Sequence, residues 1–131
     1  MNNLRKIMFV DDEPSIVKIM KSRLQARGKY VVETVAISEE AVEKAKDFRP
    51  DLIVLDICMP GVDGYEVCRR LKDDPLTSHI PVLMFTASQE ADFIEKGLKA
   101  GAEDVINKPF VKDLIETIAR IFESAENENA A

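Results

Sequence analysis

Four apolar runs in this sequence are each closely followed by residues able to do chemistry. Asp11, Asp12 and Glu13 come after residues 7–10. Asp56 comes after residues 52–55, Thr86 after residues 80–85, and Lys108 with Pro109 after residues 104–106. Carboxylates gathered in one pocket repel, and at least one then has its pKa raised. A hard divalent cation relieves that repulsion. Mg²⁺ suits one or two carboxylates completed by waters and phosphate oxygens. A lysine adds a positive point charge suited to phosphate, and a threonine hydroxyl can donate to a phosphoryl oxygen. Together these groups fit phosphoryl transfer, where positioning and charge neutralisation do most of the work. Asp56 is the best-placed carboxylate nucleophile, since carboxylates form aspartyl-phosphate intermediates.

Such residues, far apart in sequence, need a fold that gathers them. The runs at 7–10, 52–55 and 80–85 are continuously apolar, as strands buried on both faces are. Pro81 sits near the start of its run, where a strand tolerates it. Residues 30–36 and 104–106 are more mixed and read as edge strands. Helical patterns fill the gaps. Ile16, Ile19, Met20 and Leu24 recur at helical spacing, and Gly28 follows as a stop. Ser38 reads as the cap of a second helix with Val42 and Ala45 facing in. Asp63, with Glu66 three residues on, reads as the start of a third that carries Val67 and Leu71. Ser88 reads as the cap of a fourth, through Ile94 and Leu98 to Gly101. Val111, Leu114, Ile115, Ile118 and Phe122 define a fifth. The polar tail from Glu123 on reads as frayed or as a linker stub.

The order βαβαβαβαβα predicts a parallel sheet covered by helices on both faces. With the mixed strands at the edges, the strand order is 2-1-3-4-5, that of the flavodoxin-like doubly wound fold, whose ligands bind beyond the carboxyl ends of strands one and three. One domain is expected, residues 1–124, with a polar tail at 125–131. The chain has 131 residues, 46% apolar and 32% charged, an ordinary soluble composition. A net charge of −6 argues against a nucleic-acid surface. Two cysteines, Cys58 and Cys68, indicate neither a disulfide scaffold nor a zinc site. No apolar run approaches the roughly 18 residues of a membrane span. The N-terminus does not read as a signal peptide, so a cytoplasmic protein is expected.

Residues 5–123 resemble the receiver domain of two-component response regulators. The resemblance rests on Val10-Asp11-Asp12-Glu13-Pro14, on the run from Pro50 to Asp56, on Met59-Pro60-Gly61-Val62-Asp63-Gly64, and on Thr86-Ala87, Ala100-Gly101-Ala102 and Lys108-Pro109-Phe110, all in order. It implies that Asp56 accepts a phosphoryl group from a phosphohistidine on a sensor kinase or phosphotransfer protein. It implies that Asp12, Asp56 and the backbone carbonyl of Cys58 ligate Mg²⁺, with Asp11 acting through water. Lys108 pairs with Asp56 and then with the phosphoryl oxygens, and Thr86 swings towards them. The Lys108–Pro109 bond is cis in the family. Cys58 and Ser88 fall where the family tunes the lifetime of the phosphoryl group, and their small size predicts no strong shielding from water. Val105 stands where the family often has Tyr or Phe, which predicts altered coupling to the output face. That face is the fourth helix, fifth strand and fifth helix, with Lys96, Lys99 and Val105 on or near it.

Taken singly, these residues have plainer readings. Asp11 and Asp12 fit a helix N-terminus, where carboxylates complement the dipole. Lys108 alone fits a solvated surface lysine, and Thr86 a helix cap. Gly61 and Gly64 read as turn formers. Cys58 and Cys68 read as small buried side chains, and His79 as a loop residue without a base or metal partner. Competing functions fit less well. A haloacid-dehalogenase-like phosphatase needs a second aspartate where Cys58 stands. In a flavodoxin, Asp11, Asp12 and Glu13 would repel the flavin phosphate. A receiver-like scaffold that is never phosphorylated would not need the full set of chemical residues. The expected activity is therefore a phosphorylation switch acting on itself, with no separate substrate. The residues after Pro109 suffice for one helix and a tail. A stand-alone regulator that acts through partner proteins is the expectation; the alternative is a receiver cut from a longer regulator with an effector domain.

Overall fold

A computed structural model describes residues 4–130. Of the expected domain and tail bounds, residues 1–3 and 131 lie outside the described residues. The chain alternates strictly: β1 (Arg5–Val10), α1 (Pro14–Gln25), β2 (Tyr30–Val35), α2 (Ala41–Phe48), β3 (Leu52–Leu55), α3 (Gly64–Asp73), β4 (Val82–Thr86), α4 (Phe93–Lys99), β5 (Asp104–Asn107) and α5 (Val111–Ala130). A single 3₁₀ turn at Ser38–Glu40 leads into α2. All strand pairs are parallel, and the sheet order is β2-β1-β3-β4-β5. The expected fold is therefore present, with the mixed strands at the two edges.

Alternation along each strand sorts its side chains onto the two faces of the sheet. Ile7 and Phe9 of β1, Leu52 and Val54 of β3, and Leu83 and Phe85 of β4 pack against α1 and α5 through Met20, Leu24, Leu114, Ile118 and Phe122. Met8, Val10, Ile53, Leu55, Val82 and Met84 face the other way, onto Ala41, Ala45, Val67 and Leu71 of α2 and α3. Central strands buried on both faces are why their sequences read as unbroken apolar runs.

Several local expectations are corrected. Ile19 is not in the core: it is 48% exposed, while Met20 and Leu24 are fully buried. The apolar stripe of α1 is narrower than its sequence suggests. Ser38 caps no helix through its side chain; it lies within the 3₁₀ turn, and its hydroxyl points to Glu39 and to the Pro60 carbonyl. Ser88 does not start α4, which begins at Phe93. Its hydroxyl instead accepts the Glu90 N–H at 3.3 Å, closing a local turn that delays the helix. The polar segment from Glu123 on continues α5 through Ala130, held near its end by a 3.6 Å ion pair from Glu126 to Arg5. Asp63 behaves as expected: its carboxylate caps α3 by accepting the Glu66 N–H at 2.9 Å.

Candidate functional site

The parallel register aligns the strands at their carboxyl ends. Val10 is paired with Leu55, and Thr86 with Asn107. The ladder then runs one residue beyond the strands. Asp56 donates its N–H to the Val10 carbonyl at 3.0 Å, and Lys108 donates its N–H to the Thr86 carbonyl at 2.9 Å. Backbone hydrogen bonds thus bring Asp11, Asp56, Thr86 and Lys108 together on one edge of the sheet, with Asp12 beside Asp11. This edge lies at the switch point between β1 and β3, where ligands bind in such folds.

Asp11, Asp12 and Asp56 each offer a carboxylate oxygen, and these atoms lie within 4.8 Å of one another. Asp11 and Asp56 are buried, and Asp12 is more open. Lys108, whose side chain is only 9% exposed, reaches three of the nearby carboxylates, those of Asp11, Glu13 and Asp56. Its ammonium donates to Asp56 Oδ2 at 3.3 Å and to Glu13 Oε1 at 3.1 Å. It also lies 2.9 Å from Asp11 Oδ2. That last contact is a close buried ion pair. Lys108 is thus no surface lysine.

The electrostatics follow from this packing. Burial raises the Asp11 pKa above the ordinary carboxylate value, and the Asp56 charge adds to the rise; the Glu13 amide and Lys108 offset only part of it. Burial alone would lower the Lys108 pKa. The Asp11 carboxylate and the Asp56 charge outweigh it, with help from Glu13, and hold the ammonium well above its ordinary value. The site is a cluster of excess negative charge with one cation pinned inside it.

The same observations test whether a divalent cation fits. Three carboxylates converge on a site that holds one lysine, and all the donors are hard oxygens. One ammonium does not offset three converging carboxylates, and a divalent cation relieves the remaining repulsion. The donor set fits Mg²⁺.

The remaining expected residues are placed less directly. Thr86 is completely buried at the end of β4, with its Oγ1 3.8 Å from Cys58 Sγ. Cys58 is exposed at the mouth of the pocket, against expectation, while Cys68 is buried in α3. The Cys58 N–H points to Asp56 Oδ1 at 3.3 Å. The Lys108–Pro109 bond is cis. Gly61 is a turn former, with φ +83°, but Gly64 is not. A Cβ at Gly64 would fall on the Asp56 carbonyl and 2.6 Å from Ile57 Cα, so Gly64 lets α3 start directly against the backbone of Asp56. His79 lies exposed between α3 and β4.

Val105 is buried rather than displayed, and Gly97 of α4 lies over it. A Cβ at Gly97 would come 2.5 Å from Val105 Cγ2 and 2.9 Å from Met84 Sδ. The seam between α4 and β5 therefore matches a small residue on each side. Lys96 and Lys99 are exposed on α4.

Two residues gain a role that their sequence positions did not reveal. Glu13 was visible as an acidic neighbour, and only the fold shows it paired with Lys108. Glu39 gave no signal, because its contacts cross to a loop more than twenty residues away.

A five-stranded parallel sheet of this order, with an acidic pocket and a lysine beyond its carboxyl edge, defines a flavodoxin-like signalling fold. The family model described as the response regulator receiver domain matches residues 7–120, and the chain belongs to that family. Among curated relatives, it is 45% identical over 106 residues to the alkaline phosphatase synthesis transcriptional regulatory protein PhoP of Bacillus subtilis, covering 81% of this chain. It is 42% identical over 104 residues to response regulator PleD of Caulobacter vibrioides, covering 79% of this chain. The chain spans 43% of the former and 23% of the latter. Among solved structures, a CheY-like receiver domain protein from Methanospirillum hungatei superimposes with a TM-score of 0.86 at 29% identity, covering 95% of this chain and 98% of that one. The chemotaxis response regulator CheY4 of Vibrio cholerae gives a TM-score of 0.81 at 32% identity, covering 90% and 98%. Among the described residues, no helix is long and apolar enough to cross a membrane.

Proposed function

We propose that this receiver takes a phosphoryl group onto Asp56 from a phosphohistidine of a sensor kinase or phosphotransfer protein, and thereby changes its binding to a downstream protein. The observation that carries this reading is Lys108, buried between Asp56 and Asp11 at the carboxyl edge of the central strands. A carboxylate oxygen of Asp56 attacks phosphorus, the O–P bond forms, and the N–P bond to the donor imidazole breaks. Lys108 pairs with Asp56 before transfer and faces the phosphoryl oxygens after it. Asp12, Asp56 and the Cys58 carbonyl would hold Mg²⁺, with Asp11 acting through water; when bound, the ion neutralises the charge gathered on the carboxylates and phosphoryl oxygens. Thr86 donates its hydroxyl towards the phosphoryl group, which draws the β4–α4 segment with it. The protein is then both catalyst and substrate of its own modification, with water able to reverse it.

The response leaves through the face formed by α4, β5 and α5. Lys96 and Lys99 stand on that face, and Val105 supports it from beneath. Phosphorylation shifts an existing equilibrium between inactive and active arrangements rather than creating a new fold. The working location is the cytoplasm. The chain spans 43% of the transcriptional regulator that it matches at 45% identity, and this supports a receiver from a longer regulator as a second reading beside that of a stand-alone regulator.

The test is intact mass after incubation with acetyl phosphate and Mg²⁺. Wild type should gain one phosphoryl group, and neither Asp56→Ala nor wild type without Mg²⁺ should do so. A wild type that stays unmodified and also fails to bind beryllofluoride would overturn the reading.

A further inference from the structure

The loop from Asp56 to Asp63 joins β3 to α3 and supplies both the phosphoacceptor and the Cys58 carbonyl. Its base is closed by its own bonds: the Gly64 N–H donates to the Ile57 carbonyl at 2.9 Å, and the Cys58 N–H reaches Asp56 Oδ1. Its apex is held from a different element. Glu39, in the 3₁₀ turn before α2, accepts the Val62 N–H on Oε1 at 3.2 Å. The Ser38 hydroxyl lies 2.8 Å from the same oxygen and 3.2 Å from the Pro60 carbonyl, and Ser38 is 3% exposed. Between these contacts, Gly61 has φ +83°, and a Cβ there would fall on the Glu39 carboxylate. Glu39 therefore lies flat against the loop backbone at Pro60, Gly61 and Val62, in space that only a glycine leaves free.

We propose that Glu39 is a positioning residue for the metal site: its carboxylate clamps the apex of the β3–α3 loop and so sets where the Cys58 carbonyl stands relative to Asp12 and Asp56. The inference rests on the reading above, in which that carbonyl is a metal ligand. The physical ground is general. Groups that hold a metal's ligands in place matter nearly as much as the ligands, because a ligand free to wander must be ordered on binding. Here the requirement is for an oxygen acceptor at a fixed reach, not for negative charge. Glutamine keeps the acceptor and loses the charge. Aspartate keeps the charge and is one methylene too short.

The experiment is a Mg²⁺ titration of the full chain followed by amide NMR, with hydrogen exchange at the Val62 amide measured in metal-free protein. Glu39→Ala and Glu39→Asp should each weaken Mg²⁺ binding by about 10-fold and speed Val62 exchange, while Glu39→Gln should match wild type within about twofold. Three results would overturn the proposal. Glu39→Ala could bind as wild type does, Glu39→Asp could retain full affinity, or Glu39→Gln could lose as much as alanine, which would point to charge instead of position. The parent reading is checked separately by Asp12→Asn. If wild type binds no Mg²⁺, or Asp12→Asn binds it equally well, the metal site itself fails and this proposal falls with it.

Discussion

Helices α3 and α4 cover the same face of the sheet, yet they are attached to it in opposite ways. The ten residues of α3 include five buried positions, Gly64, Tyr65, Val67, Cys68 and Leu71, and a side-chain cap from Asp63. Its first residue abuts the Asp56 backbone. The seven residues of α4 bury only Gly97, and Asp92 at the cap position makes no side-chain capping hydrogen bond. Ile94 and Leu98 of α4 are about half exposed, at 48% and 47%. What steadies α4 is largely polar and open to solvent: Lys96 with Glu90 at 2.6 Å, and Lys99 with Glu95 at 3.0 Å. Exposed ion pairs of this kind contribute little to stability. The Tyr65 hydroxyl, at the boundary of the two helices under the Lys96 ammonium, is buried without a hydrogen-bond partner.

The difference separates two tasks. In the proposed function the helix behind Asp56 must not move, since sub-ångström placement governs the chemistry. In the same proposal α4 needs more than one arrangement within reach, and segments with few buried contacts are where such alternatives lie.

The comparison can be broken most forcefully at Gly97. Gly97→Leu would drive a side chain into Val105 and Met84. Overpacking should destabilise the fold by about 1–3 kcal/mol, even though leucine is the better helix former. Urea unfolding would show this as a lower midpoint with an unchanged slope. An unaffected midpoint would mean that α4 already floats clear of β5. A finer test sets the two caps against each other. Asp63→Ala should cost about 1 kcal/mol through the lost bond to the Glu66 N–H. Asp92→Ala should stay within about 0.5 kcal/mol, since no such bond exists there. Equal losses in thermal or urea unfolding would remove the distinction between an anchored and a loosely held helix.

What could be read from residue order alone follows the same division. The chemical residues were legible because each comes just after an apolar run, and parallel pairing must bring such positions together. The sheet order was legible because edge strands carry polar residues and central ones do not. The start of α4 was not legible: Ser88 has the chemistry of a cap, and only the local turn to Glu90 shows that the helix waits until Phe93. The exposure of Ile19 and of Cys58 depended on what failed to pack over them, which no periodicity records. The pairing of Glu13 with Lys108 and the reach of Glu39 to Val62 join residues distant in sequence, and neither leaves a repeating pattern.

The two cysteines carry a practical consequence. The chain has no tryptophan, so the usual intrinsic fluorophore for following such a pocket is missing. Cys68 is buried, and its thiol is pushed up to about 11 by desolvation, while Cys58 stands exposed at the pocket mouth. Alkylation proceeds through the thiolate. A maleimide dye at neutral pH should therefore add once to the folded protein, and Cys58→Ser should abolish the adduct in a mass spectrum. The native sequence thus offers a single handle for a fluorescent reporter, two residues from Asp56.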